Sequence, residues 1–129
     1  MKESLEKPKV SIIIPTYNSD KTLRECLKSI NSQSYPFCEL IVVDNFSADN
    51  TLKIAEKFEA KILQRRCNPA LARNIGIANS TGKYVLFIDS DQVLSSSIVE
   101  ECVEKCESEK VGMVRIPEIF IGKDFWGSC

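Results

Sequence analysis

Short apolar runs alternate with amphipathic segments along the chain. Between the runs, apolar residues recur every three or four positions, which is the spacing of one face of a helix. Because predicted strands alternate with predicted helices, the pattern indicates an α/β domain with a mainly parallel sheet and helices on both faces. The five runs of strand length are Val10–Ile14, Glu39–Val43, Lys61–Gln64, Tyr84–Ile88 and Val111–Val114.

Residues that favour turns and helix starts separate these elements. Asn68 followed by Pro69 is a capping residue with proline at the first helical position, an arrangement typical of a helix start. The other predicted turns and caps are Tyr17–Asp20, Asp49 and Ser95–Ser97. No repeat, low-complexity stretch or linker interrupts the alternation, so the sequence predicts one domain over residues 1–129, with a polar arm at residues 1–8.

The composition narrows the chemistry. Seventeen Lys and Arg against 18 Asp and Glu give a formal net charge of -1, so no overall charge favours nucleic acid and any anion site must be local. The chain has no histidine. Ser-His-Asp and Cys-His catalysis are therefore excluded, and carboxylates must carry any acid–base work.

The cysteines and the apolar stretches predict a cytoplasmic protein. The 6 cysteines form no Cys-x-x-Cys pair and several fall at apolar positions, which favours reduced thiols. Cys102 and Cys106 lie one helical turn apart, so a metal site there is the alternative to two buried apolar residues. No stretch approaches the roughly 20 apolar residues of a membrane span, and the charged start is unlike a signal peptide.

Two carboxylates, Asp89 and Asp91, follow the apolar run Tyr84–Ile88. If the backbone stays extended through Ser90, both side chains point the same way. Two like charges so close repel each other unless a cation lies between them, and carboxylate oxygens suit Mg²⁺ or Mn²⁺. An ordinary polar strand end is the alternative for Asp-x-Asp taken alone.

Polar groups follow three of the predicted strands. The carboxyl ends of parallel strands meet at one edge of an open sheet, so these groups should converge into a pocket suited to a base, a ribose and a diphosphate. Glycine-rich phosphate loops of the Gly-x-x-x-x-Gly-Lys and Gly-x-Gly-x-x-Gly types are absent from the sequence, which disfavours phosphate-loop NTPases and dinucleotide oxidoreductases. The groups are Pro15–Asn18, Asp44–Asn45 with Ser47, and Asp89–Asp91.

At these residues the sequence resembles the family 2 glycosyltransferases, whose Rossmann-like fold is termed GT-A. Four motifs in the family's order carry the resemblance, which covers about residues 9–115: Val10–Asn18, Ile41–Thr51, Ala72–Gly76 and Phe87–Asp91. The resemblance implies transfer of a sugar from a nucleoside-diphosphate sugar to an acceptor hydroxyl, with Mg²⁺ or Mn²⁺. Inversion at the anomeric carbon would follow from a single displacement.

The resemblance also implies roles for individual residues. Tyr17 would lie against the nucleobase, Asp44 and Asn45 would contact the base or ribose, and Arg73 would reach the diphosphate. Asp89 would lie near the ribose or the metal, with Asp91 as the direct metal ligand. The same resemblance adds Pro15, Thr16, Asn18 and Ser90 to the nucleotide-sugar site. Taken alone, Tyr17, Asp44 and Asn45 could be ordinary strand-end or turn residues, and Arg73 a solvated charge.

Two departures from the family pattern matter. Where many members have Asp-Asp-Gly-Ser, this chain has Asp44–Ser47 with Asn45 in second place, which leaves uridine, thymidine and guanosine donors open. The family's catalytic domain normally continues further and supplies the acceptor site and a general base. Neither Glu118 nor Asp124 is assigned that role, so we expect a donor-binding half with its catalytic base outside the chain.

Further expectations concern partners and alternatives. The acceptor would be a saccharide or a lipid-linked molecule, which would place the protein in the cytoplasm or peripherally on the inner face of the membrane. An edge near Phe120, Phe125 and Trp126 would favour self-association. One alternative function is a nucleotide-sugar-binding module without transferase activity. The other is a sugar-phosphate nucleotidyltransferase, disfavoured because those enzymes typically have a glycine-rich loop after the first strand.

Overall fold

A four-stranded parallel sheet forms the centre of the computed structural model, which describes residues 7–109. Its strands are β1 (Val10–Thr16), β2 (Cys38–Asp44), β3 (Lys61–Gln64) and β4 (Tyr84–Phe87), in the spatial order β3-β2-β1-β4. Every pairing is parallel, so the predicted sheet type is confirmed. The predicted strand Val111–Val114 and the aromatic residues near the end of the sequence lie outside the described residues.

Four helices connect and cover the strands: α1 (Leu23–Asn31), α2 (Thr51–Lys57), α3 (Pro69–Ala78) and α4 (Ile98–Glu109). The predicted start of α3 is confirmed, because the side chain of Asn68 accepts a 2.8 Å hydrogen bond from the Leu71 N–H. The predicted caps of α1 and α2 were wrong, because the cap positions are Thr22 instead of a residue of Tyr17–Asp20, and Asn50 instead of Asp49. The Asp49 carboxylate nevertheless accepts the Thr51 N–H at 2.9 Å. Within the described part of the chain, no helix is long and apolar enough to cross a bilayer.

The two faces of the sheet bury different residues, as alternation along a strand requires. Ile12 and Ile14 point into a large core formed with α1, α2 and α4, while Ile13 belongs to a smaller core with Ala72 of α3. Gly76 lets α3 lie close to β1, since a Cβ atom at this position would be 2.5 Å from Cγ2 of Ile13. Helices therefore cover both faces of the sheet, as the sequence predicts.

The strand order fixes where a ligand can bind. From β1 the chain steps outward to β2 and β3, and then crosses to the other side of β1 to form β4. The direction of winding thus reverses between β1 and β4. In open parallel sheets, ligands bind beyond the carboxyl ends of the strands at this reversal.

β1 continues two residues beyond the predicted end, through Pro15, although proline cannot donate a hydrogen bond to a sheet. In β1 the carbonyl of Ile13 accepts from Ile88 on the β4 side, whereas that of Thr16 accepts from Asn45 on the β2 side. Backbone groups alternate in direction along a strand, so the nitrogen of Pro15 faces the β4 side. There it has no partner to bond, because β4 pairs with β1 only as far as Ile13. The N–H that proline lacks would therefore have had no carbonyl of β4 to bond, so the sheet loses no hydrogen bond.

Candidate functional site

A cleft of about 950 Å³ opens at the carboxyl ends of β1, β2 and β4. Loops after β1 and β2 and the segment leading into α3 form its walls. Eight of the predicted site residues line it: Pro15, Thr16, Tyr17, Asn18, Asn45, Asp89, Ser90 and Asp91. Three strand ends far apart in sequence are thus brought to one cavity.

Asp44 differs from the expectation that it contacts a base or ribose. Its side chain is fully buried, and its oxygens accept hydrogen bonds from the hydroxyls of Thr16 and Ser47, both at 2.6 Å. The Ser47 N–H at 2.8 Å and the Gln64 amide at 3.4 Å are further donors. Since no part of the carboxylate reaches the surface, Asp44 supports the cleft from below and joins the ends of β1, β2 and β3.

Hydrogen bonds also join the loops after β1 and β2. The Asn18 N–H donates to the hydroxyl of Ser47 at 2.7 Å, and the Asn18 side-chain oxygen accepts the Ala48 N–H at 2.7 Å. The Ser19 N–H donates to the hydroxyl of Thr51 at 2.8 Å. The two loops therefore form one preorganised wall, so Asn18 is engaged in holding the loops as well as lining the cleft.

The sequence reasoning did not assign two acids that also line the cleft, Asp20 and Asp49. The Asp20 N–H donates to Asp49 at 3.1 Å, and Asp20 in turn accepts the Asn50 N–H at 3.2 Å. Burial pulls the pKa of Asp49 upward, but hydrogen bonds from Thr51 and Asp20 outweigh it and hold that pKa below its ordinary value. The signal in the sequence was Asp49-x-Thr51, a local pattern in which a carboxylate accepts from the backbone two residues on.

Tyr17 and Asn45 present the groups that a base would meet. Tyr17 is 61% exposed, which leaves its ring face free to stack. The side-chain oxygen of Asn45 accepts the Cys67 N–H at 3.4 Å. A backbone N–H can only donate, so this contact fixes which end of the amide is oxygen and leaves the NH₂ group available to a ligand. Cys67, which was not predicted, also lines the cleft.

The segment after β4 is a turn, which corrects the expectation of extended backbone through Ser90. Asp89 and Gln92 close it with a 3.0 Å bond from the Gln92 N–H to the Asp89 carbonyl and a 2.8 Å bond from the Asp89 N–H to the Gln92 side chain. The Ser90 hydroxyl donates to that of Ser19 at 3.0 Å. Turn geometry, rather than strand alternation, brings Asp89 and Asp91 to the same cleft.

Arg73 projects from α3 beside the cleft. Its guanidinium lies 3.7 Å from the carboxylate of Asp89 and 5.8 Å from the ring centre of Phe87. The Arg73 side chain is 40% exposed and that of Asp89 59%, so water screens the pair and a stronger anion could replace the carboxylate. Arg73, which is predicted to reach the diphosphate, thus lies beside one acid of the turn but is not among the residues that line the cleft.

The donor set at the turn fits a hard divalent cation. Asp89 and Asp91 offer carboxylate oxygens that are open to solvent, which Mg²⁺ and Mn²⁺ accept. Among residues 7–109 no group of three or more His, Cys, Asp or Glu side chains gathers at one point, so Cys102 and Cys106 have no companion ligand there. Such a cation would draw its other ligands from water and substrate phosphate.

A buried cysteine lies below the turn. The Cys26 thiol is buried and lies 3.6 Å from the Asp89 carbonyl. Burial, and then the negative charges of Asp91 and Asp89, raise the pKa of this thiol to about 12. No disulfide forms among the five cysteines of the described segment, Cys26, Cys38, Cys67, Cys102 and Cys106.

Comparisons with known proteins agree with this geometry. The sequence profile described as Glycosyl transferase family 2 matches residues 11–128. The poly(ribitol-phosphate) β-N-acetylglucosaminyltransferase TarS of Staphylococcus aureus is 37% identical over 102 residues, which are 72% of this chain and 18% of that protein. The chain belongs to glycosyl transferase family 2 and has the family's GT-A fold.

Solved structures show the same arrangement. TarS 1-349 of S. aureus in complex with UDP-GlcNAc superposes with a TM-score of 0.73 at 33% identity, over 79% of this chain and 32% of that one. The mannosyltransferase PcManGT of Pyrobaculum calidifontis in complex with GDP-Man and Mn²⁺ gives a TM-score of 0.75 at 27% identity, over 95% and 38% respectively. The chain thus spans about a third of each structure.

Proposed function

We propose that this chain is the donor-binding half of a metal-dependent, inverting glycosyltransferase that uses a nucleoside-diphosphate sugar. The observation that carries the proposal is the cleft at the reversal of the sheet, where Tyr17, Asn45, Asp89 and Asp91 line one cavity. Family membership and relatives that hold UDP-GlcNAc or GDP-Man support a nucleotide-sugar donor.

The cleft divides into a base end and a phosphate end. Tyr17 offers a ring face for stacking, and the Asn45 NH₂ can donate to a carbonyl of uracil, thymine or guanine. The floor and wall between the two ends are formed by Pro15, Thr16 and Asn18. Arg73 can move from Asp89 to phosphate oxygens, which its planar guanidinium binds in pairs.

Asp89 and Asp91 would hold Mg²⁺ or Mn²⁺, with Ser90 fixing the turn against Ser19. A bound cation would neutralise charge on the diphosphate leaving group. Without a cation, the two carboxylates would repel an anion. The phosphate end of the cleft should therefore bind a diphosphate only together with the cation. If the pair between Arg73 and Asp89 opened, Asp89 could bind the cation and Arg73 could bind phosphate.

The transfer step would invert the configuration at the anomeric carbon and would require an acceptor and a general base. The acceptor would be a saccharide or lipid-linked hydroxyl, attacking opposite the diphosphate and losing its proton to a carboxylate that none of the assigned residues provides. A protein at the inner membrane surface would meet such acceptors. The alternative is a module that binds a nucleotide sugar without transferring it.

The test is isothermal titration of the chain with UDP, dTDP and GDP, with and without Mn²⁺. The same titrations on Asp91→Ala test the cation site, and Glu104→Ala, an exposed acid on α4, is the control of equal charge. We expect Mn²⁺-dependent binding of one nucleotide, lost in Asp91→Ala and kept in Glu104→Ala. Absence of binding by a chain with a folded circular-dichroism spectrum would refute the proposal.

Release of free nucleotide distinguishes the two functions. If the chain binds a nucleotide sugar and also cleaves or transfers the sugar, nucleoside diphosphate accumulates with time. Stable binding without such release would favour the binding module.

A further inference from the structure

A second pocket, of about 350 Å³, lies between α1 and α2 on the outer side of the cleft wall. It is lined by Asp20, Arg24, Asn50, Lys53, Ile54 and Lys57. Asp20 lines both cavities, so the pocket adjoins the cleft but shares none of the residues assigned to the nucleotide sugar. Its volume is at the lower end of the roughly 300–1,000 Å³ of small-molecule sites.

The three cations of this pocket have no acidic partner among residues 7–109. Four other cations of this part of the chain do pair: Lys9 with Glu39, Lys28 with Glu25, Arg73 with Asp89, and Lys83 with Glu107. The pocket differs from the remaining surface cations in gathering three positive side chains around one cavity. The one carboxylate in the pocket wall, Asp20, is not within ion-pair distance of them and accepts the Asn50 N–H instead. Three positive charges therefore face one negative charge in a protein whose net charge is -1.

The arrangement of the cations works against helix stability. Lys53 and Lys57 are four residues apart on α2, which places them on one face of the helix, where like charges repel. Arg24 adds a third positive charge from α1. An anion bound between the two helices would remove this repulsion, whereas water only screens it.

We propose that the pocket is a binding site for a phosphoryl group, distinct from the donor cleft. Arg24 supplies the planar fork that matches two phosphate oxygens, and Lys53 and Lys57 supply point charges. Ile54 forms an apolar floor that keeps the charged groups at the rim. A phosphate ester, free or in a lipid headgroup, has the charge and the oxygen geometry that these three side chains bind.

The test is a titration of the isotopically labelled chain followed by amide NMR, which reports the two cavities separately. Inorganic phosphate should shift the amides of Lys53, Ile54 and Lys57 along a saturable curve at low salt. The double variant Lys53→Gln/Lys57→Gln should weaken this binding about thirtyfold, since it removes two charges that each contribute on the order of 1 kcal/mol near the surface. The control Lys28→Gln/Lys61→Gln has the same net charge and should bind as the unchanged chain does.

A second arm identifies the source of the phosphoryl group. Sedimentation with vesicles of phosphatidylglycerol and phosphatidylcholine, compared with phosphatidylcholine alone, measures headgroup binding. Recruitment to the anionic vesicles that is lost in the pocket variant and kept in the control assigns a lipid headgroup, while saturation by phosphate without recruitment assigns a free ester. The proposal is overturned if both double variants weaken binding equally, or if neither probe binds the pocket. Because no nucleotide is used, failure here leaves the proposed function untouched.

Discussion

The Thr16 hydroxyl donates a 2.6 Å hydrogen bond to the carboxylate of Asp44, and this contact joins the carboxyl ends of the two central strands. Both side chains are buried, Thr16 with 4% of its surface exposed and Asp44 with none. The two residues precede the two loops that wall the cleft. The position of those loops therefore depends on a buried carboxylate that does not line the cleft.

Asp44→Asn should destabilise the fold. Both hydroxyls donate to Oδ1 of Asp44, whereas the Ser47 N–H and the Gln64 amide donate to Oδ2. An amide NH₂ in place of Oδ2 would face two donors and leave the bond from the Ser47 N–H unmade. We expect a loss of about 2–4 kcal/mol in the free energy of unfolding, measured by urea titration. Asp91→Asn is the exposed control and should change stability by less than about 0.5 kcal/mol. Equal stability of the two variants would show that the buried network contributes little.

Arg73→Ala should separate phosphate binding from stability. The pair with Asp89 is exposed and 3.7 Å apart, so its loss should cost less than about 0.5 kcal/mol of folding free energy. Affinity for the nucleoside diphosphate should fall about tenfold, while affinity for the nucleoside alone should not change. Titration with UDP and uridine measures both. An equal fall for the two ligands would mean that Arg73 shapes the base end instead.

Asn45→Ala should weaken binding at the base end without altering the requirement for Mn²⁺. The variant loses the NH₂ group that we assign to a base carbonyl, which corresponds to about a fivefold lower affinity for the preferred nucleotide. The backbone bond from the Asn45 N–H to the Thr16 carbonyl is retained, so the circular-dichroism spectrum should not change. A variant that binds as tightly as the unchanged chain would remove Asn45 from the site.

Gly76→Ala should be unfavourable although alanine is the better helix former. The new Cβ would lie 2.5 Å from Cγ2 and 2.9 Å from Cδ1 of Ile13, so α3 or the strand must move. Overpacking of about 1–3 kcal/mol outweighs the gain of about 1 kcal/mol in helix propensity. Thermal unfolding measures the sum, and Gly76→Ala/Ile13→Val should recover part of the loss by removing the Cδ1 methyl group. A more stable single variant would contradict this packing.

Stability should decline above pH 9. Burial raises the pKa of Cys26 to about 12, and those of Cys38 and Cys102 to about 11, from a value of 9.0 for a free thiol. In the unfolded chain these thiols lose their protons first, so stability present below pH 9 is lost as the pH rises toward 11–12. Each thiol contributes a slope of up to about 1.4 kcal/mol per pH unit.

Chemical unfolding at pH 8, 9, 10 and 11 checks this slope. Cys26→Ser, which does not ionise in this range, should unfold with a shallower pH dependence than the unchanged chain. An identical slope would indicate that Cys26 has the same pKa in the folded and the unfolded chain.

The sequence predicts the sheet, its parallel strands and the start of α3, because periodicity and capping residues act locally. Asn68 and Pro69 are the clearest case. Pro15 misled the prediction of the first strand end, since its acceptability depends on how far the neighbouring strand β4 extends, a property of the whole sheet. The turn at Asp89–Gln92 was missed for a similar reason, because Gln92 stabilises it through a side-chain bond that no strand pattern encodes.

The cleft shows the same division. Residue types at three strand ends were enough to indicate which residues converge, and eight of them line one cavity. Which of the predicted site residues are buried could not be predicted from residue type. The neighbours Asp44 and Asn45 show why: the side chain of Asp44 is buried in the protein, whereas that of Asn45 lines the cleft. Arg73 and the acids of the turn come together only through the packing of α3 on β1.

The position of β1 between β2 and β4 has a consequence for the order in which the chain assembles. Every bond that joins the loops after β1 and β2 is complete once the chain has reached Thr51, whereas the bond from Ser90 to Ser19 spans 71 residues. Contacts of such long separation form late, after the entropy of closing a large loop has been overcome. We therefore expect the base end of the cleft to form before the phosphate end, which is complete only once the edge strand β4 docks on β1.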